Sequence, residues 1–270
     1  MPYKGSKNKI AEKIIDILPE ADYFVDLFGG GGAMSHCAVL SGKYKKVIYN
    51  ELEPLVYKGF KMAINGEFQN EKRWISREDF FRLKDTDPYV AVCFSFGYDL
   101  QTYAYSPENE RLKEHLHKIF LAENPEKSYV NWKNFLNDYR EIRLDCSNKF
   151  KLIESIDRLK RLQNLERLNR FKNVCSDNIT CLNLSYEQVE IPKNSVIYCD
   201  IPYKNTAKYL SDFDHEKFYE WASNQKQKIY ISEYEMPDNF IEISHFEKKC
   251  SLSATNNSKQ TIEKLFCNRR

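Results

Sequence analysis

Four consecutive glycines, Gly29 to Gly32, constrain this chain more than any other feature. They follow an apolar run, Tyr23–Phe28, that reads as a buried strand, and they precede a helical pattern from Ala33 to Leu40. Glycine loses more backbone freedom on folding than any other residue, so a run of four persists where the backbone must turn sharply or lie close to something. Strand, glycine turn and helix in that order open a βαβ unit whose first turn can bind a ligand, although the spacing is looser than a complete GxGxxG. A tight turn that binds nothing is the other reading of these four residues alone.

The flanking segments point to the same architecture. Ile10, Ile14, Ile15 and Leu18 recur at helical spacing before Pro19, and Val47–Tyr49 supplies a second short strand that ends at Asn50 and Glu51. The apolar run Tyr89–Phe96 is expected to be a third strand. From there to about Lys172 the chain turns polar and helical, as an insertion would. Its most legible part is 151–172, where leucines recur every three or four residues among Arg158, Lys160, Arg161, Arg167 and Arg170, the pattern of one basic amphipathic helix. That helix suits a phosphate backbone and equally suits a solvated surface. Ser195–Cys199 then reads as a strand running into Asp200, and Lys228–Ser232 as another running into Glu233, with a helix at His215–Asn224 between them. This alternation predicts an α/β fold built on an open, mostly parallel sheet, with ligands at the carboxyl ends of its strands. Residues 1–75 and 173–270 are expected to form the cofactor-binding catalytic domain, and 76–172 an inserted, mainly helical region.

Composition excludes little beyond the extremes. With 270 residues, 42% apolar and 14% aromatic, the chain can bury a full core and is neither fibrous nor disordered. Lys+Arg 41 against Asp+Glu 39 leaves +2, so a nucleic-acid partner must meet a local basic face. The eight cysteines form no CxxC pair, which indicates neither a zinc site nor a disulfide framework. No metal is expected, and without a signal peptide or membrane-length apolar run the expected setting is the cytoplasm.

Two strand ends carry candidate chemistry. Glu51 can accept hydrogen bonds from both hydroxyls of a ribose, the role of an acid about 20 residues past a glycine turn; a solvated loop acid is its plain alternative. Asp200-Ile201-Pro202-Tyr203 sets a carboxylate, a proline-stiffened turn and an aromatic side by side, which suits a planar ligand bearing an amino group. Adenine N6 is a poor nucleophile because its lone pair is delocalised, so its hydrogens must be accepted; Asp200 and the Ile201 carbonyl can do this. Tyr203 can stack on a base taken out of the duplex. Taken alone, the same four residues also describe a capped turn with a core tyrosine.

On these residues the chain resembles the Dam-like, alpha-group DNA adenine-N6 methyltransferases, whose glycine motif precedes a target-recognition region and a final DPPY motif. Tyr3-Lys4-Gly5-Ser6-Lys7 is similar to that family's aromatic-x-Gly-Gly-Lys segment, which implies Tyr3 and Lys7 near the methionine end of the cofactor. Asp26-Leu27-Phe28 with Gly29, Gly30, Gly31, Gly32 and Ala33 stands where the family has its cofactor loop. Glu51 and Leu52 resemble its ribose-binding segment, and Ser185-Tyr186 its pair beside the cofactor adenine, with Tyr186 packing on that ring. Ile231-Ser232-Glu233-Tyr234 resembles a wall of the base pocket. Asp200-Ile201-Pro202-Tyr203 departs from Asp-Pro-Pro-Tyr at one position, where Ile201 keeps the carbonyl and loses the ring that fixes φ, so a slower chemical step is expected. The resemblance implies a Rossmann-like methyltransferase sheet and S-adenosyl-L-methionine as cofactor. It further implies transfer to N6 of a flipped adenine in double-stranded DNA, with a cognate restriction endonuclease as a further partner. DNA contact is expected from the insertion, through Tyr98, Tyr103, Tyr105, Arg158 and Arg161. Open alternatives are a catalytically silent DNA-binding protein of the same fold and an N4-cytosine or RNA methyltransferase. A nicotinamide dehydrogenase would leave the Asp200–Tyr203 segment unexplained.

Overall fold

The computed structural model describes residues 1, 3, 5–120, 130–137, 176–203, 213–249 and 260–269. The chain divides into two compact units, one comprising Met1–Lys4 and Lys58–Asn173, the other Gly5–Tyr57 and Val174–Arg270.

The second unit is a seven-stranded sheet. Its strands are β1 (Ala21–Asp26), β2 (Tyr44–Asn50), β3 (Ile179–Leu182), β4 (Ser195–Cys199), β5 (Ile229–Glu233), β6 (Phe240–Lys249) and β7 (Gln260–Asn268), in the spatial order β3-β2-β1-β4-β5-β7-β6. β1 pairs in parallel with β2 and with β4, while β7 runs antiparallel between β5 and β6. All five residues of β4 and of β5 are buried, as expected of central strands of a parallel sheet, which read as unbroken apolar runs. The chain leaves β1 toward β2 and β3 and later returns beside β1 as β4, so the strand order reverses between β1 and β4. In open α/β sheets the crevice at that reversal, at the carboxyl ends of the strands, is where ligands bind.

Helices α1 (Ala11–Ile17), α2 (Ala33–Ser41) and α8 (His215–Ser223) belong to this unit, and α3 (Pro54–Ile64) spans the division between the two. α8 is started by Asp214, whose carboxylate accepts from the Lys217 N–H at 3.0 Å. Its Phe218, Tyr219 and Ala222 pack into one cluster with Val25, Leu27, Ile197, Cys199, Ile201, Ile229 and Ile231. The core thus reaches the carboxyl ends of β1 and β4 and includes Ile201.

The described part of the first unit is helical, with α4 (Arg77–Leu83), α5 (Pro88–Phe94), α6 (Pro107–Phe120) and α7 (130–137). Leu112, Leu116 and Phe135 form its own small core, flanked by Ile119, Trp132 and Leu136. Here one expectation fails: the run Tyr89–Phe96 is not a strand. Residues Pro88–Phe94 form a helix buried on every side, and a short apolar run has no period that separates a buried strand from a buried helix. The start signal was nevertheless in the sequence. Asp87 caps the helix by accepting from the Tyr89 and Val90 N–H groups, and Pro88 takes the first turn, where its missing N–H costs nothing. The basic helix expected at 151–172 lies outside the described residues. Among the described residues, no helix is long and apolar enough to cross a membrane.

Candidate active site

Each of four adjacent parallel strands ends in an acid. β1 ends in Asp26, β2 is followed by Glu51, β4 by Asp200, and β5 ends in Glu233. Asp26 is 1% exposed, and its Oδ2 accepts from both the Ser35 N–H (3.1 Å) and the Ser35 hydroxyl (2.7 Å). Burial pushes its carboxyl up to about 7; the Ser35 bonds oppose this, and the nearby Asp200 and Glu51 charges reinforce it.

The glycine turn is tied to Glu51. The Gly30 N–H donates to Glu51 Oε2 at 2.7 Å, and the Glu53 N–H donates to Oε1 at 2.8 Å. Burial raises the pKa of Glu51, with these backbone donors opposing. Gly29 donates to the Asn50 carbonyl at 2.8 Å, and the Tyr49 hydroxyl donates to the Gly30 carbonyl at 2.8 Å. A Cβ on Gly29 would stand 2.2 Å from a Tyr49 ring carbon, so glycine is required there by space. Gly30 and Gly32 are held at φ of 47° and 73°, in the left-handed region.

The Asn50 side chain joins the neighbouring loops. It donates to the Leu27 and Leu184 carbonyls, both at 3.0 Å, and accepts from the Leu184 N–H at 3.1 Å. That stitch leads directly into Ser185 and Tyr186. The Ser185 N–H donates to Gln188 Oε1 at 3.2 Å. Tyr186 lies 5.6 Å from the Phe28 ring and 5.0 Å, edge-on, from Trp221, so it borders an aromatic cluster that includes the residue before the glycine turn. Ala33 is buried at the head of α2, and Leu52 is 60% exposed. Tyr3 is half-buried and belongs to the first unit.

After β4, the Asp200 carboxylate accepts from the Lys7 ammonium, which also lies 2.6 Å from the Tyr203 hydroxyl and 3.1 Å from Glu263 Oε1. Lys7 is 2% exposed. Burial alone would lower its pKa, but Asp200 and Glu263 outweigh that and leave it raised, so Lys7 stays a cation. Burial, then Asp200 and Glu263, also push the Tyr203 phenol up, and its ring packs on Tyr234 at 4.7 Å. Ile201 is 2% exposed, and the Pro202 carbonyl accepts from His215 Nε2 at 2.8 Å. The result is a carboxylate, an adjoining main-chain carbonyl and an aromatic ring at the sheet's reversal point, beside a glycine turn bound to a second acid.

A family model, that of the D12 class N6 adenine-specific DNA methyltransferases, matches residues 3–265. The chain belongs to this family. No curated protein matches the chain significantly. The family's chemistry makes the protein an enzyme that methylates adenine N6 in DNA, as the Dam-like motifs implied. The mixed α/β sheet is that of a Rossmann-like methyltransferase.

In this D12-class methyltransferase two residues with no prior role stand in the site. Glu263 is 1% exposed on β7 against Lys7; its signal, an acid at an inward position of a strand, is invisible until β7 is recognised. His215 reads in the sequence only as the start of a helix. The residues expected to meet DNA are placed unevenly. Tyr98 has φ 62° in the turn Phe96–Tyr98, beside Phe96, which is 65% exposed. Tyr103 is 4% exposed with its hydroxyl on the Ile75 carbonyl at 2.8 Å, and Tyr105 stacks on Trp74 at 5.8 Å. Arg158 and Arg161 lie outside the described residues. Among the described residues no cluster of His, Cys, Asp or Glu could hold a metal.

Proposed function

We propose that this methyltransferase seats S-adenosylmethionine against the glycine turn and Glu51 and presents a flipped adenine to Asp200 and the Ile201 carbonyl. The observation that carries the reading is the arrival of these two segments at neighbouring strand ends on either side of the β1/β4 reversal. The fit is chemical. Glu51 has lone pairs beyond those used by the Gly30 and Glu53 N–H groups, so it can take the hydroxyls of a ribose. Tyr186, bordered by Phe28 and Trp221, can pack on a purine ring, and the acids Asp26, Glu51 and Asp200 suit a cationic ligand. Phe28, Gly29–Gly32, Ala33, Leu52 and Ser185 shape the same cradle, with Lys7 assigned to its methionine end.

When bound, S-adenosylmethionine supplies an electrophilic methyl group on a sulfonium sulfur. The remaining work falls to the chain. Asp200 and the Ile201 carbonyl accept the two N6 hydrogens, which draws the nitrogen lone pair out of conjugation, and Asp200 takes the proton that N6 sheds once its new bond has formed. Lys7 holds Asp200 and Tyr203 in one geometry. Tyr203 stacks on the extruded base; about 1–3 kcal/mol of stacking per base offsets part of a flipping cost of a few kcal/mol. We assign DNA recognition to the unit containing Lys58–Asn173. There, Tyr98 with exposed Phe96 offers aromatic reach, and Tyr103 and Tyr105 support the turn through Ser95 and Trp74.

Equilibrium binding of S-adenosylmethionine to the wild type, Glu51→Ala and Tyr203→Ala tests the reading. Loss of charge-assisted hydrogen bonds at about 1.5–3 kcal/mol predicts at least a tenfold weaker affinity for Glu51→Ala, with Tyr203→Ala near wild type. Unchanged affinity in Glu51→Ala would overturn this seat for the cofactor.

A further inference from the structure

We infer that His215 is a positioning residue for the catalytic turn, which it holds through a hydrogen bond to the Pro202 carbonyl. The inference rests on the reading of Asp200 and the Ile201 carbonyl given above.

The segment Asp200–Tyr203 follows β4 without regular structure, so its rigidity must come from side chains. Ile201 is anchored by burial, at 2% exposure among Leu27, Val189, Phe218 and Tyr219 and their neighbours. Pro202 has its own φ locked by its ring and biases Ile201 toward extended backbone. What neither restrains is the peptide after Pro202, which leads into Tyr203, whose side chain is itself held by Lys7 and Tyr234. His215 closes that freedom by donating from Nε2 to the Pro202 carbonyl at 2.8 Å. A carbonyl only accepts, so Nε2 carries the hydrogen.

His215 is itself well held. It is the first residue of α8, directly after the capping Asp214. Its ring lies edge-on to Phe213 at 4.9 Å and 6.1 Å from Tyr219. The turn is therefore tied both to the sheet and to a capped helix whose Phe218 and Tyr219 share a core with Ile201.

Steady-state kinetics of wild type, His215→Phe and His215→Gln, with Asp200→Ala as reference, decide the matter. Phenylalanine keeps the ring between Phe213 and Tyr219 without a donor; glutamine restores an N–H. Losing one hydrogen bond's worth of positioning lowers kcat about three- to tenfold in His215→Phe, with KM for cofactor and DNA within about twofold. His215→Gln recovers most of that loss. Wild-type kcat in His215→Phe, or a His215→Gln variant as slow as His215→Phe, would overturn the inference. Activity retained in Asp200→Ala would instead show that the underlying reading of the turn is wrong.

Discussion

Substituting Gly29 with alanine tests the packing logic of the glycine turn. The new Cβ would sit 2.2 Å and 2.4 Å from two Tyr49 ring carbons and 3.1 Å from the Asn50 carbonyl oxygen, where carbon atoms need about 3.5–4.0 Å. The ring must move by more than 1 Å by that comparison, yet Tyr49 is fully buried and its hydroxyl is bound to the Gly30 carbonyl. Overpacking a filled site costs about 1–3 kcal/mol, and losing the Tyr49–Gly30 bond adds about 1 kcal/mol. Together they predict a destabilisation of about 2–4 kcal/mol, a large share of the roughly 5–15 kcal/mol that holds a domain folded. Gly29 has no left-handed φ to lose, so the cost is steric and Tyr49 is the residue that determines it. Urea melts of Gly29→Ala, Tyr49→Val and the double variant read this directly. Because Tyr49→Val clears the ring carbons, the two changes should be less than additive by about 1 kcal/mol or more. Strict additivity, or a Gly29→Ala protein within about 0.5 kcal/mol of wild type, would refute the reasoning.

Three further outcomes follow from the same geometry. Lys7→Met removes the cation shared by Asp200, Tyr203 and Glu263, and breaking a buried pair costs about 3–5 kcal/mol; adding Glu263→Met should restore part of that stability in denaturant melts, and no restoration would argue against the pairing. Asp26, with its carboxyl raised to about 7 by burial, favours the folded state while protonated. Its contribution is therefore complete below about 4, its unfolded range, and is lost as the pH rises through about 7. Asp26→Asn keeps an oxygen for Ser35, so its urea midpoint should fall less than wild type between pH 5.5 and 8.5. Tyr203→Ala should lower kcat/KM for DNA by about 10-fold or more, matching about 1–3 kcal/mol of lost stacking; a mismatch opposite the target adenine, which lowers the cost of flipping, should recover part of that loss, and no recovery would argue against the stacking role.

Much of the sheet was legible because its strands differ in kind from their surroundings. β4 and β5 are mostly apolar runs that lead into acids, and β1 is marked by the glycines after it. The Asp200–Tyr203 turn and Glu51 could be named from sequence because each sits at such a strand end. β6 and β7 escaped notice since their alternation carries charge on both faces, including the inward Glu263. α5 is not legible as a helix because seven consecutive buried residues have no period, and only Asp87-Pro88 marks a helix start. The Lys7–Glu263 pair and the His215–Pro202 bond join residues far apart in the chain or on separate elements, and no local pattern encodes such a meeting.

Transfer of labelled methyl from S-adenosylmethionine to unmethylated double-stranded DNA, followed by nucleoside mass spectrometry with wild type and Asp200→Ala, tests the central claim most directly. The predicted result is N6-methyladenine with the wild type and its loss in Asp200→Ala with folding intact. Methyl on another base, or N6-methyladenine made equally well by Asp200→Ala, would contradict the role assigned to this site.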